Sequence, residues 1–178
     1  MRLRLIAYMT ILFVFSAGCT LISTSVKIHD FERSEITIPM SITVIENGKV
    51  FDTDYFVTRP TFVAHFPPED CIDCQIAHLA DYYPLLALAE KYSFDVLLIV
   101  SPSEEDNLRI ISSIIGGKFL FPVVVDPEDS FSRLNPDIPS DPRFNHFLID
   151  RDKHPVFVGN PLINTKVYKQ FIKKLKSL

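Results

Sequence analysis

The chain is expected to fold as an α/β domain, a central mixed sheet flanked by helices and led by an N-terminal β-ribbon. Three observations predict it. Residues 94–100 and 121–125 are apolar almost throughout, as strands covered on both faces are. Segments with helical periodicity or helix-capping residues alternate with these runs, the pattern of strand-helix-strand units. Asn47-Gly48 lies between stretches of alternating apolar and polar residues, the strongest short hairpin signal, and predicts the ribbon.

The elements follow in order. The domain is placed from Ile38 onward, with the ribbon over residues 40–57 and a compact β-rich run, TFVAHF, at residues 61–66. Pro67-Pro68 ends that run, because proline has no N–H to donate to a ladder. Ile72, Ile76, Leu79, Tyr83 and Leu86 recur at spacings of four, three, four and three and predict an amphipathic helix whose start carries Cys71. After the strand at 94–100, Ser101 as N-cap, Pro102 and Glu104 predict a helix running to a glycine stop at Gly116-Gly117. Asp126-Pro127 and Asp129 open a short helix by the same capping logic. Residues 144–149 and 155–158 form an antiparallel pair around Asp150-Arg151-Asp152-Lys153, and residues 164–175 close the chain as a helix. Lys166, Lys169, Lys173, Lys174 and Lys176 make that helix basic, which reads first as a solvated face near its own C-terminal dipole.

The N-terminus sets the compartment. Residues 1–18 pair the basic start MRLR with an apolar stretch from Leu5 to Phe15 and small residues before Cys19. That is a secretory signal peptide, since a span needs about 20 apolar residues. Residues 19–37 are expected to be a linker between the processed end and a domain over 38–178. A net charge of −4 with no basic run near the cysteines gives no reason to expect nucleic acid as a partner. Hydrophobic residues at 47% and 15 Phe are those of a globular chain, which excludes disorder.

Chemistry concentrates in HFPPEDCIDCQ, residues 65–75. A Cys-x-x-Cys at a helix start puts its first thiol where unpaired N–H groups favour an anion, and its second within reach to close a disulfide. Cys71 would attack and Cys74 resolve. Glu69, Asp70 and Asp73 offset the helix dipole, so Cys71 is expected to behave as an ordinary thiol and the pair as a reductant or slow exchanger. Zinc is a rival, for Cys-x-x-Cys is half of a structural site, but a second Cys pair is missing and only His65 and His78 could complete it. Copper handling would call on a downstream histidine such as His146. The expectation is therefore no metal and no dissociable cofactor, the redox-active disulfide serving in its place.

The order strand, Cys-x-x-Cys, helix, strand, helix, strand, hairpin and final helix resembles the thioredoxin fold, in particular the TlpA-like envelope thiol-disulfide oxidoreductases. The later HFLIDRDKHPVFVG is similar to the hairpin of that family, and Phe66 stands five residues before Cys71 in register with its aromatic segment. The resemblance implies a membrane-anchored reductase of disulfide-bearing envelope proteins, resupplied by a membrane electron donor. Pro67 and Asp70 replace the family's tryptophans. His65 stands where thioredoxins often carry a buried acid, which implies a proton carrier; a hydrogen-bonded core residue is the other reading. The substrate-docking cis-proline corresponds to Phe144, so either Ile138-Pro139 supplies that bond or the feature is lost. Ser16-Ala17-Gly18-Cys19 resembles the lipobox of bacterial lipoproteins, with Ser16 where leucine is usual, and implies Cys19 as the site of a lipid anchor to the membrane. Ordinary cleavage would leave Cys19 a free thiol. A non-catalytic binding module on the same fold is the alternative from a different class.

Overall fold

A computed structural model of the chain describes residues 26–68 and 76–178. Seven strands form one sheet: β1 (Ser41–Glu46), β2 (Lys49–Asp54), β3 (Thr61–Phe66), β4 (Asp95–Val100), β5 (Val123–Val125), β6 (His146–Ile149) and β7 (Pro155–Val158). Their order is β2-β1-β5-β4-β3-β6-β7. β3, β4 and β5 are parallel neighbours, while β6 joins β3 antiparallel and β7 joins β6 antiparallel. β1 and β2 form the expected ribbon, with Asn47 at φ 48° and Gly48 at φ 72°, the two positive values a tight hairpin turn requires.

Side chains alternate across β3. Phe62, Ala64 and Phe66 enter a core covered by helices α1 (Tyr83–Tyr92), α2 (Asn107–Gly117) and α4 (Thr165–Leu175). Val63 enters a second core on the opposite face, with Leu97, Ile99, Phe147 and Ile149. A short helix there, α3 (Ser130–Leu134), adds Phe131. Much of the remaining cover comes from the N-terminal segment.

That segment corrects the expected linker. Residues 26–31 are helical, and Phe31 and Ile36 are fully buried against the second face. Phe31 meets Phe144 and Phe147 edge-on at 5.4 and 5.2 Å. The packed body therefore begins before Ile38. Asn135 fastens it: its Oδ1 accepts from Thr37 N–H at 2.7 Å, and its Nδ2 donates to Thr37 O and Phe131 O. Asn135→Ala is expected to cost about 2–3 kcal/mol, because backbone groups of a buried junction lose their partner. The check is a lower urea midpoint at unchanged slope; an unchanged midpoint would show that these bonds do not hold the segment.

Two helix starts also differ from expectation. Ser101 does not cap: its N–H extends the β3–β4 ladder by donating to Phe66 O, its side chain is buried, and α2 begins only at Asn107. Residues 103–106 form a turn instead, in which Ser103 Oγ and Arg109 both bond the Asp106 carboxylate. After residues 76–77, which are helical, the chain tightens into a 3₁₀ turn at Leu79–Tyr82, and α1 starts afresh with Pro84 in its first turn. A continuous helix would need an N–H at Pro84, which proline lacks. The 3₁₀ spacing of three brings Leu79, Tyr82 and Leu85 inward, while Tyr83 is 41% exposed. Of the expected stripe, Leu79 is buried and Leu86 packs partly buried against the same core, while Tyr82 and Leu85 take the innermost places instead of Tyr83.

The remaining elements lie close to expectation. α2 does end at Gly117, but the left-handed residue that terminates it is Lys118 at φ 47°. Asp126 rather than Asp129 caps α3, its Oδ2 accepting from Phe131 N–H at 2.8 Å. Asn164 Oδ1 caps α4 through Val167 N–H. Phe144 precedes β6 in a 3₁₀ turn, Pro142–Asn145. No helix among the described residues is long and apolar enough to cross a membrane.

Candidate functional site

β3 stands where the parallel and antiparallel parts of the sheet meet, and its carboxyl end is left open. β6 pairs only with Thr61–Ala64, so His65 and Phe66 extend past it. Crevices at the carboxyl ends of strands, where the chain turns to opposite sides, are where such sheets hold their chemistry. Pro67 and Pro68 leave β3 here. Cys71 and Cys74 lie outside the described residues, between Pro68 and the helical residues 76–77; Cys19 lies outside them as well.

His65 points to the second face and is nearly inaccessible, its side chain 7% exposed. Its Nε2 lies 3.2 Å from Ser101 Oγ and 3.5 Å from Asp129 Oδ1, and its ring packs on Phe131 at 4.9 Å. It is a hydrogen-bonded strand residue, and it also carries a titratable nitrogen in contact with a carboxylate. Hydroxyl and carboxylate share one ring nitrogen and Ser101 is fully buried, so these three residues are not a nucleophilic triad, whose acid and hydroxyl take opposite nitrogens.

A cleft of about 500 Å³ opens beside His65, bounded by Pro67, Ser132, Asn135, Ile138 and Pro139. The structure thus brings the Ile138-Pro139 loop and His65 to one cavity. No cis peptide bond occurs among the described residues, so Ile138-Pro139 does not supply one. Phe144 is not part of any docking rim. It is 1% exposed and turned into the core against Phe31, because the aromatic ring gains more from that contact than from facing solvent.

On the other side of β3 stands a pair that sequence reasoning left unassigned. His146, first residue of β6, is joined at Nε2 to the Tyr82 hydroxyl by a 2.7 Å hydrogen bond and lies against the rings of Phe62 and Phe66. Burial, aided by the neighbouring His65, lowers the His146 pKa to about 4. Burial, with Asp81 adding to it, raises that of Tyr82. Both are therefore neutral near pH 7, so the hydrogen bond joins an uncharged phenol and an uncharged imidazole. The pair lines a second cleft with His78, Pro84, Asn160 and Leu162. His78 itself is exposed and bonded to Asp81 at 2.8 Å. Among the described residues no three His, Cys, Asp or Glu side chains converge as a metal-binding group.

Ser101, Asp129, Tyr82 and His146 carry no joint signal in the sequence. The contacts join residues 36 and 64 positions apart. Local patterns assigned Ser101 and Asp129 to helix caps, and only the sheet brings both to His65.

No family model and no curated protein matches the chain. Solved structures do. The pneumococcal exposed lipoprotein thioredoxin of Streptococcus pneumoniae aligns with a TM-score of 0.52 at 20% identity, over 78% of this chain and 99% of that one. A candidate thiol:disulfide interchange protein DsbE from Chlorobium tepidum aligns with a TM-score of 0.51 at 14% identity, over 80% and 98%. Peroxiredoxin Q of Xanthomonas campestris aligns with a TM-score of 0.51 at 17% identity, over 82% and 95%. At these identities the likeness is one of fold.

Proposed function

We propose that the chain, which has a thioredoxin-like fold, is a thiol-disulfide oxidoreductase of the bacterial cell envelope, in which Cys71 attacks and Cys74 resolves. The observation that carries the reading is the placement of Cys-x-x-Cys in the sequence, directly after the open carboxyl end of β3 and before the helical residues 76–77. The Cys71 thiolate attacks a disulfide sulfur of an envelope protein, forming a mixed disulfide and releasing one partner thiolate. Cys74 then attacks Cys71 Sγ, the bond to the partner breaks, and the partner's second sulfur leaves with the electron pair. The chain ends oxidised and the partner reduced by two electrons, and a membrane donor restores the dithiol. His65 serves as proton carrier for the resolving step.

The envelope location rests on the signal-like N-terminus and the Cys19 lipobox, whose lipid would tether the protein to the membrane. Two of the similar folds, a candidate DsbE and an exposed lipoprotein thioredoxin, are consistent with it. The alternative, a binding module without turnover, is favoured by one observation: Phe144, in the position of the docking proline, is withdrawn into the core.

Cys74→Ala is expected to accumulate a mixed disulfide with an envelope protein, seen as a band lost on reduction, while Cys71→Ser loses both the adduct and turnover. The Cys71–Cys74 couple is expected to be more reducing than about −180 mV, the range of proteins that reduce or isomerise disulfides. No reversible disulfide and no trapped partner would leave the binding module standing.

A further inference from the structure

We infer that α4 is a membrane-contacting face: its lysine stripe docks on the anionic headgroups of the bilayer to which the chain is tethered. From the proposed function the inference takes only the tether. Charge is unevenly placed along the chain. Residues 164–178 hold five lysines and no Asp or Glu, while the net charge of the whole is −4, so the rest of the molecule is the more acidic part. Lys166, Lys169, Lys173 and Lys176 recur at spacings of three, four and three, which sets them on one stripe of α4. Phe171 and Leu175 are buried on its other side.

These cations are unmatched. Arginines elsewhere on the surface meet acids, as Arg59 meets Asp95 and Arg133 meets Glu128, but among the described residues no ion pair involves a lysine of α4. Nor does the helix dipole account for the stripe. It favours cations in the last turn only, whereas Lys166 stands in the first, where a cation is unfavourable. Exposed apolar residues bracket the helix, Ile163 before it at 71% and Leu178 after it at 51%. Apolar side chains beside lysines suit a lipid surface, the former entering the acyl boundary while the ammonium groups stay at the phosphates.

The place of α4 in the fold selects the same occupant. Phe171 packs on Phe157 of β7 at 5.3 Å, so the helix covers the β6–β7 edge of the sheet. The N-terminal segment lies at that edge too, on the opposite face: Ile36 N–H donates to Lys153 O in the β6–β7 turn, and Phe31 meets Phe147 of β6. Cys19 precedes residue 26 by seven positions, a span of at most about 25 Å. A lipid on Cys19 therefore holds the edge that carries the lysines close to the bilayer. β2, at the far edge, is six strand spacings away, about 29 Å. Tether and stripe engage one membrane from one side, and the ribbon points away from it.

The full chain contains no tryptophan, so a single introduced indole reports alone. Gln170→Trp places it among the lysines and Phe51→Trp on β2, both at exposed positions. On vesicles of phosphatidylglycerol and phosphatidylcholine with nitroxide-labelled headgroups, the fluorescence of Gln170→Trp is expected to be quenched and that of Phe51→Trp is not. The quenching is expected to fade on pure phosphatidylcholine, and in about 0.5 M salt, where screening acts within about 4 Å. Lys169→Gln, Lys173→Gln and Lys176→Gln together are expected to lower the ratio of anionic to zwitterionic vesicle binding about a hundredfold, at about fivefold for each lysine. Arginine at the same three positions is expected to keep it. Equal quenching on the two vesicle types, equal quenching of the two indoles, or an unchanged ratio in the glutamine variant would overturn the inference. A chain that does not float with pure phosphatidylcholine vesicles would instead overturn the tether of the proposed function, while binding to the anionic vesicles still decides α4.

Discussion

Phe31→Ala is expected to destabilise the protein by about 3–5 kcal/mol, the range for emptying a buried aromatic site. The ring is 2% exposed and meets Phe144 and Phe147 edge-on, so its loss removes both the transfer term and two aromatic contacts. The surroundings cannot close the gap easily. Phe147 is fixed by pairing with Val63 and Val158, and Phe144 by the turn that Asp141 caps. For a domain of this size the loss corresponds to a fall of roughly 10 °C or more in melting temperature. Truncation at Ile38 is expected to go further, since it also removes Ile36 and the Thr37 partner of Asn135. Thermal and urea unfolding of the variant read the effect directly. A cost below about 1 kcal/mol would mean that the N-terminal segment merely lies on the sheet.

Acidification is expected to weaken the fold through His146 by about 3 kcal/mol, fully expressed near pH 4. Its pKa is about 4 in the folded protein, against an ordinary 6.5, mainly because burial disfavours the cation. Between these values the unfolded chain binds the proton and the folded one does not, so stability falls as pH falls from about 6.5 to about 4 and then levels. Each unit of difference is worth about 1.4 kcal/mol, which sets the size. The ring is held by Tyr82 on one side of β3's open end. His146→Gln is expected to remove this part of the pH dependence. Urea midpoints measured from pH 7 to 4 in both proteins give the answer as a difference of slopes. Parallel curves would show that His146 titrates alike in both states.

Much of the sheet was readable along the chain, since strands covered on two faces leave continuous apolar runs and a two-residue turn leaves Asn47-Gly48. α4 was readable for the same kind of reason: Asn164 caps it and Phe171 and Leu175 recur on its buried side. The α1 region was misread at Tyr83 because periodicity assumes a single helical pitch, whereas Pro84 forces a 3₁₀ turn before it. Ser101 was misread because a local pattern assigns its side chain to the next helix, while the sheet had already engaged it at His65.

By itself, then, the sequence determined the α/β class, the ribbon, the order of elements and the Cys-x-x-Cys after β3. These depend on patterns whose period is shorter than one element. Only the tertiary structure decided that Phe31 and Ile36 close the second face, that Phe144 turns inward, and that His65 meets Asp129 while Tyr82 meets His146. Burial of a lone apolar residue, or a hydrogen bond across 64 positions, costs chain entropy that no local pattern records and that the assembled core repays.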